Sequence, residues 1–214
     1  MDFAIEREKM VEEQIRARGI KDELVLEALR KVPRHRFVSE SLQGQAYHDY
    51  PLPTWGGQTI SQPYMVALMT ECLGLKGGEK VLEVGTGSGY QAAILAEIAD
   101  KVYTIDREPH LARMAREVLS ELRYENVIIK VGDGTLGWRE FAPFDGIMVT
   151  AGSPIVPPPL QAQLKDGGRL VVPVGSSAFQ NLICIEKYCT KIKSREVCGC
   201  TFVPLIGDHG WRQE

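Results

Sequence analysis

Five short apolar runs alternate with helix-forming segments through the middle of the chain, and this alternation constrains the fold more than any other feature. The runs are residues 80–84, 102–105, 127–131, 144–150 and 168–174. Between the first three lie segments rich in helix-forming side chains. Nearly continuous apolar strands that alternate with helices are typical of a parallel sheet covered on both faces. The sequence therefore predicts an α/β fold with a doubly wound, mostly parallel sheet.

Residues 1–75 are predicted to form an N-terminal helical extension of this core. Asp22 is placed to cap a helix that ends before Pro33. A further helix is predicted to begin near Pro63, because proline favours the first turn of a helix.

Residues 76–175 form the predicted α/β core, and residues 176–214 lack helical patterns. Residues 181–186 and a later run that ends at 201–205 are predicted to be antiparallel strands that complete the sheet. We expect one compact domain, because 214 residues fit a single domain with extensions.

Composition argues against several classes of protein. The formal net charge of −3, without long basic runs, is unlike that of a protein that holds nucleic acid through its phosphates. No run of about 18 apolar residues predicts a membrane span. The first eight residues are charged and lack the apolar centre of a signal peptide. We therefore expect a cytoplasmic protein with no nucleic-acid or membrane partner, and a monomer.

The cysteines and histidines do not predict a metal site. Five cysteines, an odd number, fit a reducing compartment better than a disulfide framework. Cys198 and Cys200 are separated by one residue, whereas structural zinc ligands normally have two to four between them. The four histidines share no ligand spacing. We expect no metal.

A glycine-rich turn follows the first predicted strand of the core. It reads Glu83-Val84-Gly85-Thr86-Gly87-Ser88-Gly89 and precedes a predicted helix. In doubly wound sheets, ligands bind beyond the carboxyl ends of the strands, where glycine allows a close backbone approach. The nicotinamide pattern G-x-G-x-x-G needs a small residue at position 90, where this chain has Tyr90. The alternate glycines instead resemble motif I of S-adenosylmethionine-dependent methyltransferases.

Two aspartates follow the next two predicted strands at the same edge of the sheet. Asp106 comes nineteen positions after Gly87 and is placed to accept hydrogen bonds from both hydroxyls of a ribose. A helix N-cap is the alternative role for Asp106, and both roles can hold together. Asp133, between two glycines, is placed to accept from an adenine amino group, or serves only the turn.

Several longer blocks resemble one family, the protein-L-isoaspartate O-methyltransferases. They are residues 33–35, 59–66, 81–95, 132–134, 137–138, 142–145, 163–165, 167–170 and 202–205. The Thr59-Ile60-Ser61-Gln62-Pro63-Tyr64-Met65 block is far more specific than the glycine turn, which fits many methyltransferase families. The resemblance covers nearly the whole chain from about residue 30. It implies a Rossmann-like methyltransferase fold, with the active-site loop contributed by the N-terminal segment.

The resemblance also implies an activity and a set of site residues. The activity is methyl transfer from S-adenosylmethionine to the free α-carboxylate of L-isoaspartyl residues in damaged proteins and peptides. Ser61 matches the active-site serine of the family, and its alternative role is only to cap the following helix. The implied cofactor-binding residues are Gln58, Thr59, Ile60, Ser61, Glu83, Gly85, Thr86, Gly87, Ser88, Gly89, Asp106, Arg107, Asp133 and Gly134. The implied substrate-binding residues are Thr59, Ser61, Val203 and Leu205.

The implied chemistry needs no general base, because a carboxyl group with a pKa near 4 is already ionised at neutral pH. Alignment of the reacting groups and exclusion of water are then the expected means of catalysis. Two alternatives remain at this stage: a methyltransferase that acts on RNA or on another small molecule, and a module that binds S-adenosylmethionine without chemistry. The chain departs from the family pattern at residues 206–211, which leaves the C-terminal substrate contacts open.

Overall fold

Seven strands form one mixed sheet at the centre of the computed structural model, which describes residues 2–189 and 191–212. A separate two-stranded sheet lies in the N-terminal segment. The strands are β1 (Leu52–Pro53), β2 (Thr59–Ile60), β3 (Lys80–Val84), β4 (Lys101–Asp106), β5 (Val127–Val131), β6 (Phe144–Val149), β7 (Leu164–Gly175), β8 (Gln180–Tyr188) and β9 (Lys191–Cys200). Met1, Thr190 and residues 213–214, which belong to the predicted first and third zones, lie outside the described residues.

The strand order in the large sheet is β5-β4-β3-β6-β7-β8-β9. The strands from β3 to β7 pair in parallel, and β8 and β9 pair antiparallel with their neighbours. The prediction of a doubly wound, mostly parallel sheet is thus confirmed. The chain progresses outward from β3 in both directions, through β4 on one side and β6 on the other. Such a point of reversal leaves a crevice at the carboxyl ends of the strands.

Helices cover both faces of this sheet. The α-helices are α1 (Phe3–Lys9), α2 (Glu23–Lys31), α3 (Pro63–Leu73), α4 (Tyr90–Ala96), α5 (Pro109–Glu121) and α6 (Pro158–Gln163). Shorter π- and 3₁₀-helical turns connect them, at Met10–Ile15, Arg16–Arg18, Arg34–Phe37, Glu40–Gln45, Trp55–Gly57, Gly134–Leu136 and Arg139–Phe141. No helix among the described residues is long and apolar enough to cross a membrane.

The ends of the N-terminal helices follow the local sequence. The Asp22 side chain accepts hydrogen bonds from two backbone N–H groups at the start of α2, as predicted. Pro63 is the first residue of α3, also as predicted, and Gly74 ends that helix with φ of +63°.

The prediction of a strand that continues to residues 201–205 is wrong. The last strand ends at Cys200 because the chain then turns away from β8 toward the carboxyl end of β6. The Gln180 side chain accepts from the Phe202 N–H at 2.8 Å. Gly152 then forms backbone hydrogen bonds with the residues before and after Pro204, which itself has no N–H to donate.

The carboxyl group of Glu83 lies in the apolar interior of the sheet and is 0% exposed. Its Oε2 accepts from the Thr104 hydroxyl at 2.5 Å, and the Thr104 and Thr86 hydroxyls lie 2.6 Å apart. This chain of hydrogen bonds joins β3, β4 and the glycine turn. Burial raises the pKa of Glu83 to about 8, against the lowering effect of its bond to Thr104. The carboxyl group is therefore mostly neutral at pH 7.

Glu83→Gln tests this neutral carboxyl group, because glutamine has a similar shape and no titratable proton. The folded protein binds one more proton than the unfolded chain between the ordinary Glu pKa of 4.5 and about 8. Its free energy of unfolding therefore falls as pH rises through this window, by at most about 1.4 kcal/mol per pH unit. We expect the wild type to lose stability relative to Glu83→Gln in urea titrations between pH 5 and pH 8. Parallel stability profiles would contradict the assignment.

Candidate active site

A cavity opens at the carboxyl ends of β3, β4 and β6, at the point of reversal in the sheet. Its lining includes most of the predicted site residues, namely Gln58, Thr59, Ile60, Ser61, Gly85, Thr86, Gly87, Ser88, Asp106, Arg107, Gly134, Val203 and Leu205. Glu83, Gly89 and Asp133 are absent from this lining. The cavity thus brings together segments that are far apart in the sequence.

The glycine turn forms one wall of the cavity. Gly87 has φ of +52°, and a Cβ atom built there meets no atom within 4 Å. The backbone at Gly87 is therefore open to a ligand. Gly85 has φ of +101°, and a Cβ atom there would overlap the Thr150 hydroxyl, which lies 2.6 Å from the Gly85 carbonyl oxygen. Gly89 instead packs against Ala115 of α5, behind the cavity.

Asp106 lies beside the glycine turn and is 7% exposed. Its Oδ2 accepts from the Gly87 N–H at 2.8 Å, and its Oδ1 accepts from the Glu108 N–H at 2.9 Å. Burial raises the pKa of Asp106, although both hydrogen bonds oppose that rise. Among the described residues each oxygen has one donor, and each can accept a second hydrogen bond. Glu108, not Asp106, is the residue that directly precedes α5.

Arg107 follows Asp106 at the rim of the cavity and is exposed. Its guanidinium lies 3.5 Å from the carboxylate of Glu108.

The Asp133 carboxylate already accepts hydrogen bonds from other residues of the chain. Its Oδ1 accepts from the Thr135 N–H at 2.8 Å and from the Thr135 hydroxyl at 2.7 Å. Its Oδ2 accepts from the Asp208 N–H at 2.8 Å. Burial alone would raise the pKa of Asp133, but these hydrogen bonds hold it below its ordinary value. The turn role is therefore observed, and Gly134 is the residue of this pair that lines the cavity. Adenine binding by Asp133 stays a prediction.

Ser61 reaches the cavity from the opposite side, at the end of β2. Among the described residues, no group forms a hydrogen bond with the Ser61 hydroxyl, and only its backbone carbonyl has a partner. The alternative role of Ser61 as a helix cap is not observed, since Gln62 directly precedes α3 and the Ser61 hydroxyl accepts no hydrogen bond from that helix among the described residues. The hydroxyl is thus free to bind a group in the cavity.

The backbone after Ser61 is fixed by Asp49. Its carboxylate accepts from the Tyr64 N–H at 2.9 Å and from the Gln62 side chain at 2.8 Å. Arg18 forms an ion pair with the same carboxylate and stacks on the Tyr64 ring, 3.6 Å from its centroid. The N-terminal extension therefore positions the Ser61 segment.

The C-terminal segment closes the cavity near Val203 and Leu205. The Val203 carbonyl accepts from the Gly152 N–H, and the Leu205 N–H donates to the Gly152 carbonyl, both at 2.8 Å. The Leu205 carbonyl accepts from the Trp211 N–H at 2.7 Å. Both backbone groups of Leu205 are therefore used within the chain, which leaves its side chain for contact with a ligand. Substrate binding by these two residues stays a prediction.

Sequence reasoning missed several residues of the lining. Tyr90, Gln91, Leu111 and Thr150 all face the cavity. The positions of Tyr90, Gln91 and Thr150 could have predicted this, because residues that follow a strand or the glycine turn lie at the same edge of the sheet. Leu111 lies inside α5, where the sequence gives no such indication.

No group of three or more His, Cys, Asp or Glu side chains in residues 2–189 and 191–212 is arranged to hold a metal ion. All five cysteines are unpaired thiols.

The comparisons with known proteins agree with this geometry. A family model for protein-L-isoaspartate(D-aspartate) O-methyltransferase matches residues 5–210. The protein-L-isoaspartate O-methyltransferase of Geobacter metallireducens is 58% identical over 215 residues, with 100% of each chain covered. Protein-L-isoaspartate O-methyltransferase 1 of Syntrophobacter fumaroxidans is 55% identical over 211 residues, with 99% of each chain covered.

Two solved structures extend the comparison to the fold. One protein-L-isoaspartate O-methyltransferase has a TM-score of 0.87 and 32% identity, over 95% of this chain and 67% of that chain. A Plasmodium falciparum structure, described as a protein-L-isoaspartate O-methyltransferase in complex with S-adenosyl-L-homocysteine, has a TM-score of 0.81 and 25% identity, over 94% and 98% of the two chains. The chain therefore belongs to the protein-L-isoaspartate (D-aspartate) O-methyltransferase family.

Proposed function

We propose that this chain transfers a methyl group from S-adenosylmethionine to the free α-carboxylate of L-isoaspartyl residues in damaged proteins and peptides. Membership of the family supports this activity. The observation that carries it is the free Ser61 hydroxyl, which shares one cavity with the glycine turn and Asp106.

The residues of the cavity fit S-adenosylmethionine, which supplies an activated methyl group on its sulfonium when bound. Asp106 retains one acceptor site on each oxygen, which matches the two hydroxyls of a ribose. The open backbone at Gly87 gives room for a closely bound ligand. Leu111 and Gly134 supply apolar and close-packed surface on the same side of the cavity. Below the turn, the Glu83 Oε1 atom has no hydrogen-bond partner among the described residues.

Ser61 orients the substrate in this proposal. Its hydroxyl donates a hydrogen bond to the substrate carboxylate, which is ionised at neutral pH and needs no base. A neutral hydroxyl suits this role, because a charged donor would stabilise the carboxylate more strongly and weaken it as a nucleophile. The segment from Gln58 to Ile60 forms the adjacent wall, and we propose that it excludes water during transfer.

The remaining assignments follow the same division of the chain. We propose that residues 1–75 supply the catalytic loop, that residues 76–175 hold the cofactor, and that residues 176–214 complete the sheet and contribute Val203 and Leu205 to substrate binding. We further propose a monomer in the cytoplasm that takes proteins and peptides, not nucleic acid, as partners. The five unpaired thiols are typical of proteins in a reducing compartment.

A labelled methyl donor with matched L-isoaspartyl and L-aspartyl peptides tests the activity. We expect label only on the isoaspartyl peptide, and we expect base to release it, because methyl esters hydrolyse in base. Base-stable label would indicate methylation of nitrogen or carbon, and label on a small molecule or RNA in place of the peptide would overturn the proposed substrate.

Ser61→Ala tests the catalytic role of the hydroxyl. Removal of one hydrogen bond to a charged group should lower kcat/KM for the isoaspartyl peptide by roughly 10- to 100-fold. The affinity for S-adenosylhomocysteine, measured by calorimetry, should change little. Ser194→Ala, at an exposed position in β9, is the matched control and should retain wild-type activity. Wild-type kcat/KM in Ser61→Ala would exclude the role.

Asp106→Asn tests the ribose site, because asparagine keeps the size of the side chain and removes its charge. We expect the Kd for S-adenosylhomocysteine to rise by roughly 10- to 100-fold, since charge-assisted hydrogen bonds are about twice as strong as neutral ones. Asp100→Asn, at an exposed position, should bind normally.

The raised pKa of Asp106 gives a second readout in the wild type. Protonation removes acceptor capacity, so affinity should weaken on acidification at a higher pH than an ordinary aspartate would give. The ribose site would be refuted if the wild-type Kd for S-adenosylhomocysteine did not change with pH and the Kd of Asp106→Asn equalled that of the wild type.

A further inference from the structure

Arg34 is a buried cation that contacts the backbone of the catalytic segment. Its side chain is 0% exposed. The Nε atom donates to the Ala46 carbonyl at 2.7 Å, and Nη2 donates to the Ser61 carbonyl at 2.7 Å. One rigid guanidinium thus joins two loops of the N-terminal extension and holds the Ser61 backbone through its carbonyl.

No carboxylate of the described residues forms an ion pair with this guanidinium, although the charge of Asp49 acts on it from a greater distance. Among residues 2–189 and 191–212, none of the ion pairs includes Arg34, and its Nη1 atom has no hydrogen-bond partner. By contrast, Arg18 is paired with Asp49, and Arg36 is paired with Glu121. A buried cation without a carboxylate partner carries a desolvation cost that its own ion pair does not offset.

The guanidinium lies directly behind the wall of the cavity. Its Cζ atom is 4.8 Å from the centroid of the Tyr90 ring, and Tyr90 lines the cavity at the start of α4. Arg34 therefore lies between the helix that follows the glycine turn and the Ser61 segment. Because Nη2 binds the carbonyl of Ser61, a carboxylate held by the hydroxyl of the same residue is separated from this positive charge by little more than one residue, in surroundings that screen charges less than water does.

We propose that Arg34 is a positioning residue for methyl transfer, which fixes the Ser61 backbone and supplies the unpaired positive charge that attracts the substrate carboxylate. The inference rests on the proposed function. It assigns two separable contributions to one side chain: the forked pair of hydrogen bonds places the Ser61 hydroxyl, and the charge favours an anionic substrate over a neutral one.

Two substitutions separate these contributions. Arg34→Lys keeps the charge but not the rigid fork that reaches both carbonyls. Arg34→Gln keeps hydrogen-bond donors but not the charge. The matched control is Arg36→Gln, two positions further along the same 3₁₀ turn, where the arginine is exposed and paired with Glu121.

The experiment measures kcat and KM for an isoaspartyl peptide, the Kd for S-adenosylhomocysteine and the Tm of each variant alongside the wild type. For Arg34→Gln we expect KM to rise about tenfold or more, the effect of one weakly screened charge. For Arg34→Lys we expect KM to stay near the wild-type value while kcat falls about tenfold, because the Ser61 backbone is less well fixed. The Kd should stay within about threefold in both variants, and Arg36→Gln should match the wild type.

Each other result counts against the proposal. Equal KM increases in Arg34→Lys and Arg34→Gln would exclude a role for the positive charge of Arg34. Variants that lose affinity for S-adenosylhomocysteine as much as for the peptide, or that do not fold, would make Arg34 a structural residue only. Wild-type kcat and KM in both variants would exclude any role of Arg34 in methyl transfer. Failure of the wild type to methylate the peptide would instead refute the proposed function, and this inference with it.

Discussion

The hydrogen bond from the Gly87 N–H to the Asp106 carboxylate fixes the geometry on which the site depends. It joins the turn after β3 to the end of β4, two neighbouring strands of the same sheet. The Gly85 N–H adds a second connection, because it donates to the Ile105 carbonyl at 2.8 Å. The turn is therefore held in shape before any ligand arrives. Such preorganisation lowers the entropic cost of binding.

The N-terminal extension contributes to function through polar contacts more than through its helices. Arg34, Asp49 and Arg18 lie in loops or short turns. Arg34 and Asp49 form hydrogen bonds with the segment that follows β2, and Arg18 stacks on its Tyr64 ring. The sheet provides a rigid frame for the cofactor side of the cavity. The catalytic hydroxyl, by contrast, is placed by a network of charges and backbone carbonyls that belongs to a different part of the chain.

Sequence reasoning predicted the features that depend on neighbouring residues. The cap at Asp22, the start of α3 at Pro63, and the strand–turn–helix around the glycines all follow from local backbone preferences. The features that it did not predict depend on distant partners. The Asp133 carboxylate binds an N–H 75 positions away, and Arg34 reaches a carbonyl 27 positions away. Neither separation leaves a periodic pattern in the sequence.

The dependence on distant partners also explains why the prediction of a strand at residues 201–205 is wrong. Their β-branched and apolar side chains favour a strand, but the direction of the chain there is decided by Gln180 and Gly152, which no local pattern connects to them. The expected structure and the observed one differ in the groups with which the backbone of residues 201–205 forms hydrogen bonds. That choice is a tertiary interaction, and it turns a predicted sheet edge into a wall of the cavity.

The contact between Gly85 and Thr150 has a consequence for how such a site can change during evolution. The Thr150 hydroxyl fills the space that a methyl group at position 85 would need, and it bonds the backbone there. An alanine at position 85 would overlap this hydroxyl and would also need a positive φ, which residues with a side chain rarely adopt. Glycine at position 85 is thus required both by its own backbone and by a side chain from the neighbouring strand, so a smaller residue at position 150 would not by itself release it.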